Sequence, residues 1–288
     1  MMAETAKSAR IGIIAGSGMM PISVAEAARA AGRPVHLIAL EDAAGPEVEA
    51  FPHTWVNIGE IGRTLKVLKK EQCKDLVIIG GVRRPKMGDL RMDFGALTNL
   101  PVLMSALVGG DNSVLSSIVE FFEKKGFCVV GAHDIAPELL ASDGPLGRER
   151  PDNQDKADID MAIDLIEAMG RFDVGQAVVV ARGHVLAVEA AEGTDALLER
   201  CASIKRWNPE RDDDRSGVLI KCAKPGQERR VDLPAIGPET IRRAREAQLN
   251  GIAIASGDVL IAERADVIAQ ADKSGLFVVG VPTGPADK

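Results

Sequence analysis

The chain has 288 residues, 46% hydrophobic and 27% charged, which is the composition of a globular protein able to bury a sizeable core, and its length favours two domains. The formal net charge of -7 argues against sequence-independent binding to nucleic acid, which needs a basic surface. Aromatic residues make up only 3% of the chain and Tyr is absent, which argues against stacking platforms for single-stranded nucleic acid.

The cysteines and histidines do not predict a metal site of familiar spacing. The four cysteines and four histidines form neither a C-x-x-C pair nor an H-E-x-x-H motif. The first ten residues lack the apolar stretch of a signal peptide, and the later apolar runs are strand-sized. We therefore expect a cytoplasmic protein with no membrane span.

The first half of the chain alternates strand-like and helix-like segments. The predicted strands cover residues 11–15, 34–40, 76–79 and 127–131, and the predicted helices cover residues 23–31, 61–72 and 112–125. Parallel neighbouring strands need a helical crossover, so this order predicts an N-terminal Rossmann-like parallel α/β domain over residues 1–142. Ligands of such domains collect at the carboxyl ends of the strands.

The second half has a different pattern. Residues 143–155 read DGPLGRERPDNQD and are interpreted as a linker, because they are rich in Gly, Pro and charge. A helix with apolar residues on one face follows, and strands are predicted at residues 176–181, 184–190, 217–222, 251–255, 259–262 and 276–281. The first two strands form a hairpin around Arg182-Gly183. Residues 156–288 are thus predicted to be a C-terminal catalytic domain of mixed α+β class.

The turn Gly16-Ser17-Gly18 follows the first predicted strand and precedes a helix. Its backbone N–H groups could bind a phosphate at the helix N-terminus, and a merely tight turn explains the glycines equally well. Glu41 lies at about the distance that a nicotinamide ribose requires. Pro21, however, replaces the third glycine of the dinucleotide fingerprint, so nicotinamide binding is a minor alternative.

Other turns of the first half carry candidate ligand contacts. Gly81, Val82 and Arg83 follow a buried strand, where arginine could grip a diphosphate or could simply be solvated. Asp111 precedes a helix, where capping is a sufficient role. His133 follows the last predicted strand of this half and is a candidate ligand contact.

Acidic and basic side chains are densest in residues 184–240. The members of this group are Glu189, Glu192, Asp195, Asp212, Asp213, Asp214, Lys221, Lys224, Glu228 and Asp232, with the neutral Gln227 among them in the sequence. Carboxylates beside lysines and arginines suit Mg²⁺-assisted attack on a phosphate ester, because acids hold the cation and bases neutralise phosphoryl oxygens. The run 212–214 by itself is typical of a solvated loop.

Asp232 differs from the other acids because Val231, Leu233 and Pro234 surround it in the sequence. A carboxylate in apolar surroundings must find a partner or a cation, since desolvating it alone is costly. A helix cap or a structural ion pair is the competing interpretation.

Several motifs together resemble the LpxI-type UDP-2,3-diacylglucosamine diphosphatases of lipid A biosynthesis. They are IIAGSGMMP, GGVRRP, the GDN turn at Asp111, GQAVVVARGHVLAVEAAEGTD, KPGQERRVDLPAIGP and ADKSGLFVVGV, in this order from about residue 11 to residue 281. The resemblance implies two domains that close around a lipid-bearing nucleotide, and Mg²⁺-dependent hydrolysis of UDP-2,3-diacylglucosamine to UMP and 2,3-diacylglucosamine 1-phosphate (lipid X). It also implies direct attack of water on the phosphorus nearer the sugar, and transient contact with the inner membrane surface.

The site residues are assigned from these motifs and turns. The predicted catalytic residues are Asp232, Gln227 and Lys221, and the predicted Mg²⁺ ligands are Asp232 and Glu228. The predicted substrate-binding residues are Gly16, Ser17, Gly18, Gly81, Val82, Arg83, Asp111, His133, Glu189, Thr194, Asp195 and Lys224. A nicotinamide-dependent oxidoreductase and a non-catalytic lipid or nucleotide carrier remain alternative functions.

Overall fold

The computed structural model describes residues 9–82, 93, 111–172, 174–204, 215–224 and 227–283. It divides into two compact units. Unit 1 comprises Met1–Pro137 and the short segment Glu228–Asp232, and unit 2 comprises Glu138–Gln227 and Leu233–Lys288. The prediction of a two-domain α/β protein is confirmed.

Unit 1 is built on a five-stranded sheet in the order β3-β2-β1-β4-β5, in which every pair of neighbours is parallel. Its strands are β1 (Arg10–Ala15), β2 (Val35–Leu40), β3 (His53–Val56), β4 (Cys73–Ile79) and β5 (Cys128–Val129). Its described helices are α1 (Met20–Ala30), α2 (Ile61–Lys70), α3 (Asp111–Lys124) and the short α4 (Ala132–Ile135). The chain moves outward from β1 in both directions, so β1 and β4 flank the point where the strand order reverses.

The apolar runs that predicted the strands form the core of unit 1. Residues 35–40 are buried throughout, as continuous apolar runs in parallel sheets usually are. Pro21 stands in the first turn of α1, where its missing N–H costs no helical hydrogen bond. Strand β3 is absent from the sequence-based prediction, because its four residues HTWV carry little apolar signal.

Unit 2 contains a six-stranded mixed sheet in the order β6-β13-β11-β9-β7-β8 and a separate parallel pair, β10-β12. The strands are β6 (Gly144–Pro145), β7 (Ala177–Ala181), β8 (His184–Val188), β9 (Val218–Lys221), β10 (Ala235–Ile236), β11 (Gly251–Ala255), β12 (Leu260–Ile261) and β13 (Phe277–Val281). The helices are α5 (Asn153–Met169), α6 (Gly193–Ser203), α7 (Pro238–Glu246) and α8 (Arg264–Ser274). Strands β13, β11 and β9 are parallel, whereas β6, β7 and β8 join through antiparallel pairs, so the class is mixed as predicted.

Residues 143–155, which the composition suggested as a linker, take part in the fold of unit 2. Gly144 and Pro145 pair antiparallel with β13. Asp152 caps α5, since its carboxylate accepts from the backbone N–H of Asp155 at 2.8 Å, and the Asp155 carboxylate accepts from the N–H of Asp152 in return. The polar composition of residues 143–155 therefore comes from a helix cap and a short edge strand within unit 2.

The expected hairpin between β7 and β8 is present, and a buried carboxylate holds its turn. Arg182 and Gly183 both have positive φ angles, of 52° and 75°. Their backbone N–H groups each donate to a different carboxylate oxygen of Asp158 on α5, at 2.7 Å. Asp158 is only 1% exposed, so these bonds replace the water that burial removes.

The described helices were also compared with the length and apolarity that crossing a bilayer requires. Among them, none is both long and apolar enough to do so.

Candidate functional site

Lys221 lies at the carboxyl end of β9 in unit 2 and is 7% exposed. Its ammonium group donates to the hydroxyl oxygen of Thr194 at 2.9 Å and to the backbone carbonyl oxygen of Ala235 at 2.9 Å. A buried ammonium needs such acceptors, because an unpartnered charge is costly to desolvate. The lysine is thus held in one position at this edge of the sheet.

Thr194 links Lys221 to the buried carboxylate of Glu189. The threonine hydroxyl donates to Glu189 Oε1 at 2.7 Å, and Glu189 Oε2 accepts from the backbone N–H of Gln176 at 3.0 Å. Since the single hydroxyl proton points to the carboxylate, the hydroxyl oxygen is left to accept from the ammonium. The donor order therefore runs from Lys221 through Thr194 to Glu189.

Gln227 reaches the same edge of unit 2 and is 8% exposed. Its amide oxygen accepts from the backbone N–H of Lys224 at 2.9 Å, and its amide nitrogen donates to Gln176 Oε1 at 3.2 Å. Gln176 also accepts from the backbone N–H of Cys222 through its main-chain oxygen. We call the side chains of Gln176, Glu189, Thr194, Lys221 and Gln227 the unit 2 polar network.

The topology explains why these separated residues meet. Strand β9 ends at Lys221, and the antiparallel β7 begins opposite it, with Ala177 paired to Lys221. Strand β8 runs antiparallel to β7, so Glu189, which follows β8, leaves the sheet at the same edge. The next helix, α6, begins at Gly193 and presents Thr194 in its first turn.

Gln176 is a member of the network that sequence reasoning missed. It begins the predicted strand at residues 176–181 and was assigned no role in the site. The signal that could have placed it near Glu189 is the hairpin itself, because antiparallel pairing places the start of β7 beside the end of β8.

Two further predicted substrate contacts of unit 2 lie nearby in the chain. Asp195 follows Thr194 on α6, and its side chain is 59% exposed and lies 3.5 Å from Nε of Arg243. Lys224 is half-buried and supplies the backbone N–H that Gln227 accepts. Neither residue has its side chain in the hydrogen bonds that define the unit 2 polar network.

Asp232, the predicted catalytic acid, is carried by a five-residue segment that belongs to unit 1. Residues Glu228–Asp232, here the Asp232 turn, group with unit 1, whereas the flanking Gln227 and Leu233 group with unit 2. The carbonyl oxygen of Glu228 accepts from the N–H of Val231 at 3.1 Å and from that of Asp232 at 3.0 Å. Val231 packs against the apolar core of unit 1.

Glu228, the second predicted Mg²⁺ ligand, is engaged by an arginine. Its two carboxylate oxygens accept from Nε and Nη2 of Arg230 at 2.9 and 2.8 Å, a bidentate pair. These hydrogen bonds hold the pKa of Glu228 below its ordinary value. The third edge of the Arg230 guanidinium donates to Glu123 on α3 at 2.8 Å.

The contacts of Glu228 and the surrounding acids bear on whether the protein could hold a magnesium ion. Among residues that the structure describes, no group of three or more His, Cys, Asp or Glu side chains is placed to hold a metal ion. A cation at Glu228 would have to displace the guanidinium of Arg230. Mg²⁺ often takes only one or two carboxylates together with substrate phosphates. A single carboxylate such as that of Asp232, together with diphosphate oxygens, would satisfy this coordination preference.

The glycine turns of unit 1 close on each other at the carboxyl ends of β1 and β4. Ser17 and Gly81 exchange backbone hydrogen bonds of 2.8 and 3.1 Å, and the N–H of Gly16 donates to Ile79 O at 2.9 Å. A Cβ at Gly16 would lie 2.6 Å from the carbonyl oxygen of Gly81. Three of the N–H groups considered for phosphate are thus used inside the turn, which favours its structural interpretation.

The remaining predicted contacts of unit 1 are less closely grouped. Gly18 has a φ of 88°, and Val82 is 46% exposed. His133 lies on α4, and its buried Nδ1 has no hydrogen-bond partner. Asp111 is the first residue of α3, and its side chain lies outside the description. Arg83 lies outside the described residues, as does the run 212–214.

Apart from the unit 2 polar network, unit 2 contains a polar cavity of about 250 Å³ beside Asp155 and Asp158. Burial raises the pKa of Asp155 above its ordinary value, and the hydrogen bond from Asn250 at 2.8 Å lowers it in part. Both carboxylates accept hydrogen bonds from the backbone of the protein itself. Their contacts account for a structural role in capping α5 and holding the hairpin.

The chain was compared with known proteins. Residues 10–139 match the family model of the LpxI N-terminal domain, and residues 142–279 match that of the LpxI C-terminal domain. The protein named UDP-2,3-diacylglucosamine pyrophosphatase LpxI from Caulobacter vibrioides is 43% identical over 272 residues, which cover 94% of this chain and 97% of the relative. These matches confirm the resemblance seen in the sequence motifs.

Proposed function

This chain belongs to the LpxI family, and we propose that it is an enzyme that hydrolyses UDP-2,3-diacylglucosamine to UMP and 2,3-diacylglucosamine 1-phosphate in lipid A biosynthesis. The observation that carries the proposal is the 43% identity to a relative of that name over 94% of the chain. The unit 2 polar network supports it, because side chains from two family motifs and from the end of β9 converge at one sheet edge.

The reaction needs positive charge at the diphosphate and a correctly placed water molecule. Phosphoryl transfer leaves a protein little covalent work, so positioning and charge stabilisation dominate catalysis. Lys221 provides a buried, hydrogen-bonded ammonium group that requires no reorganisation during reaction. Lys224 adds a second cation, and Gln227 orients the substrate through its fixed amide.

Asp232 orients the attacking water or holds the cation. The water oxygen bonds to the phosphorus nearer the sugar, the bond from that phosphorus to the bridging oxygen breaks, and the bridging oxygen leaves with UMP. The proton lost by water passes to Asp232 or to solvent. Magnesium, held by Asp232 and the diphosphate oxygens, would neutralise charge on the diphosphate when bound.

The substrate and product are the proposed partners of the chain. The proposed diphosphate and acyl chains both follow from the relative's name, and the buried ammonium of Lys221 is consistent with an anionic group. Because a substrate with two acyl chains resides in a bilayer, we propose transient contact with the inner membrane surface from the cytoplasmic side.

The experiment incubates the purified chain with UDP-2,3-diacylglucosamine and Mg²⁺ and measures UMP and lipid X. We expect the wild type to release UMP, and Asp232→Asn to release none while still binding substrate. Asp160→Asn, an exposed acid on α5, is the matched control and should match wild type. In ¹⁸O-labelled water, the label should appear in lipid X.

The outcomes distinguish the alternative functions. Binding of the lipid nucleotide without release of UMP would indicate a carrier. If ¹⁸O appeared in UMP, water would attack the phosphorus nearer the uridine and not the one nearer the sugar of the lipid. An active Asp232→Asn variant would remove Asp232 from the chemistry.

A further inference from the structure

The Asp232 turn is attached to unit 1 by a three-residue ionic cluster outside the unit 2 polar network. Arg230 lies inside the turn and bridges Glu228, at its start, to Glu123 on α3. The backbone N–H of Arg230 also faces Glu228 Oε1 at 3.3 Å. The guanidinium of Arg230 therefore binds one acid within the turn, Glu228, and one acid on α3, Glu123, which is 107 residues away in sequence.

The geometry of the cluster suits positioning. The bidentate pair with Glu228 fixes the plane of the guanidinium, and the Nη1 edge then meets Glu123 at 2.8 Å. Isolated surface ion pairs contribute little, but bidentate pairs within a network contribute more. The side chains of Arg230 and Glu123 are 37% and 43% exposed, so salt partly screens the contact.

A second attachment acts from the apolar side. Val231 packs against the core of unit 1, and its N–H donates to the Glu228 carbonyl oxygen. Arg230 and Val231 are consecutive residues, so the turn is held by charge on one residue and by apolar packing on the next. Asp232 follows directly, and its own N–H closes the turn on Glu228.

We propose that Arg230 is a positioning residue, whose guanidinium bridges Glu123 and Glu228 and thereby fixes the Asp232 turn on unit 1. Arg230 does not contact substrate in this role; it acts through the placement of Asp232. The catalytic consequence rests on the proposed function. Glu228 in this arrangement is one arm of the cluster, not a metal ligand.

The test compares Glu123→Gln with Glu120→Gln. Glu120 lies on the same helix, is exposed and pairs locally with Lys124 at 3.0 Å. Among the described residues no contact of Glu120 with the turn is seen, so it matches Glu123 in chemistry. Glu123→Gln should lower kcat by about tenfold with KM within about twofold, because misplacement of a catalytic group by about 1 Å is costly. Glu120→Gln should match wild type.

A second readout does not depend on activity. Trypsin cleaves after Arg229, and cleavage of a folded protein requires local opening of the turn. We expect Glu123→Gln to raise the rate of cleavage at Arg229 several-fold, as followed by mass spectrometry, because it weakens the ion pair with Arg230. Glu120→Gln should leave that rate unchanged.

Arg230 itself is tested by two substitutions. Arg230→Met should lower kcat, and in combination with Glu123→Gln the two effects should be less than multiplicative, because both remove the same contact. Arg230→Lys should rescue only in part, since one ammonium cannot present paired N–H groups to Glu228 and another to Glu123.

Each outcome decides the proposal. Lower kcat together with faster cleavage in Glu123→Gln supports it. Either change without the other overturns it, as does a Glu123→Gln variant indistinguishable from Glu120→Gln. If the wild type releases no UMP, the proposed function fails, and the cleavage comparison alone decides whether the cluster holds the turn.

Discussion

The ammonium group of Lys221 lies 2.9 Å from the hydroxyl oxygen of Thr194, and this contact joins the end of β9 to the start of α6. The Thr194 hydroxyl donates its only hydrogen bond to Glu189, so a single hydroxyl satisfies a buried cation and a buried carboxylate together. Removing that hydroxyl leaves two buried polar groups each short of one partner, which is more costly than losing one exposed hydrogen bond.

Thr194→Val should therefore be both less stable and less active than wild type. Valine has nearly the same shape, so the change isolates the hydroxyl. We expect the free energy of unfolding of unit 2 to fall by about 1–3 kcal/mol, the usual cost of leaving a buried polar group unpaired. Urea denaturation and the rate of UMP release measure the two effects.

Thr194→Ser is the matched control, because it keeps the hydroxyl and removes only a methyl group. It should retain most of the wild-type rate and most of the stability. Equal behaviour of the valine and serine variants would show that the hydroxyl contributes nothing.

Gln176 should prove necessary for the function of Gln227. Gln176→Met removes the oxygen that accepts from the Gln227 amide at 3.2 Å and leaves the backbone contacts in place. We expect kcat/KM to fall by about three- to tenfold, equivalent to about 1 kcal/mol of lost orientation. Steady-state measurement of UMP release gives the value.

Gln176→Glu serves as the control, since a carboxylate oxygen can still accept from the Gln227 amide. The double variant of Gln176→Met with Gln227→Met should be little worse than Gln227→Met alone, because contacting residues are not additive. Fully multiplicative losses would mean that the two glutamines act independently.

The fold was largely predictable because its signals are local. Runs such as residues 35–40 and 251–255 are mostly apolar and form buried strands, and Arg182-Gly183 marks a hairpin turn. Strands β3, β6 and β10 and helices α4, α6 and α8 escaped prediction. Strand β3 has four residues, and in α8 only Val267 and Ala271 are buried, so the apolar periodicity is weak.

The candidate site was predictable only where motifs name its residues. Glu189, Thr194 and Gln227 lie in motifs of the family, whereas the contact of Gln176 with Gln227 depends on the pairing of β7 with β9. Asp232 groups with unit 1, and the neighbouring Val231 and Arg230 contact that unit through apolar packing and through an ion pair between residues 107 positions apart. These contacts join residues that are distant in the sequence, so they leave no periodic pattern by which they could be predicted.

Removal of divalent cations should abolish turnover, and Mg²⁺ should restore it. The test of ligand identity is Glu228→Gln. If Glu228 belongs to the ionic cluster, kcat should fall about as far as in Glu123→Gln, while the Mg²⁺ concentration for half-maximal rate stays within about twofold of wild type.

A Glu228 that ligates the metal gives a different result. Losing one of two carboxylate ligands should raise the required Mg²⁺ concentration by about tenfold or more, with a rate that recovers at saturation. Titrations of UMP release against Mg²⁺ after chelator treatment distinguish the two cases.

Unit 1 should lose stability on mild acidification because of His36. Burial lowers the pKa of His36 below its ordinary value of 6.5, and the nearby Glu71 offsets this only in part, with Arg10, His53 and Lys70 lowering the pKa further. The imidazole Nε2 lies 3.0 Å from Thr54 Oγ1, and Nδ1 is buried without a hydrogen-bond partner.

Below pH 6.5 the unfolded chain takes up a proton at His36 that the folded chain resists. The stability contributed by neutral His36 is therefore present above that pH and is lost as pH falls through the folded-state pKa.

The measurement uses Trp55, which lies in β3 of unit 1 next to Thr54, as the fluorescent reporter. A Trp207→Phe background makes its emission the only tryptophan signal, since the chain has two tryptophans. Urea unfolding at pH 7.5 and 5.5 should show a drop in the free energy of unfolding for the parent and a smaller drop for His36→Gln, whose amide can still bond Thr54. His53→Gln controls for the neighbouring histidine. Equal drops in the parent and in His36→Gln would assign the acid sensitivity to other groups, because only a group whose protonation differs between the folded and unfolded chain contributes to the slope.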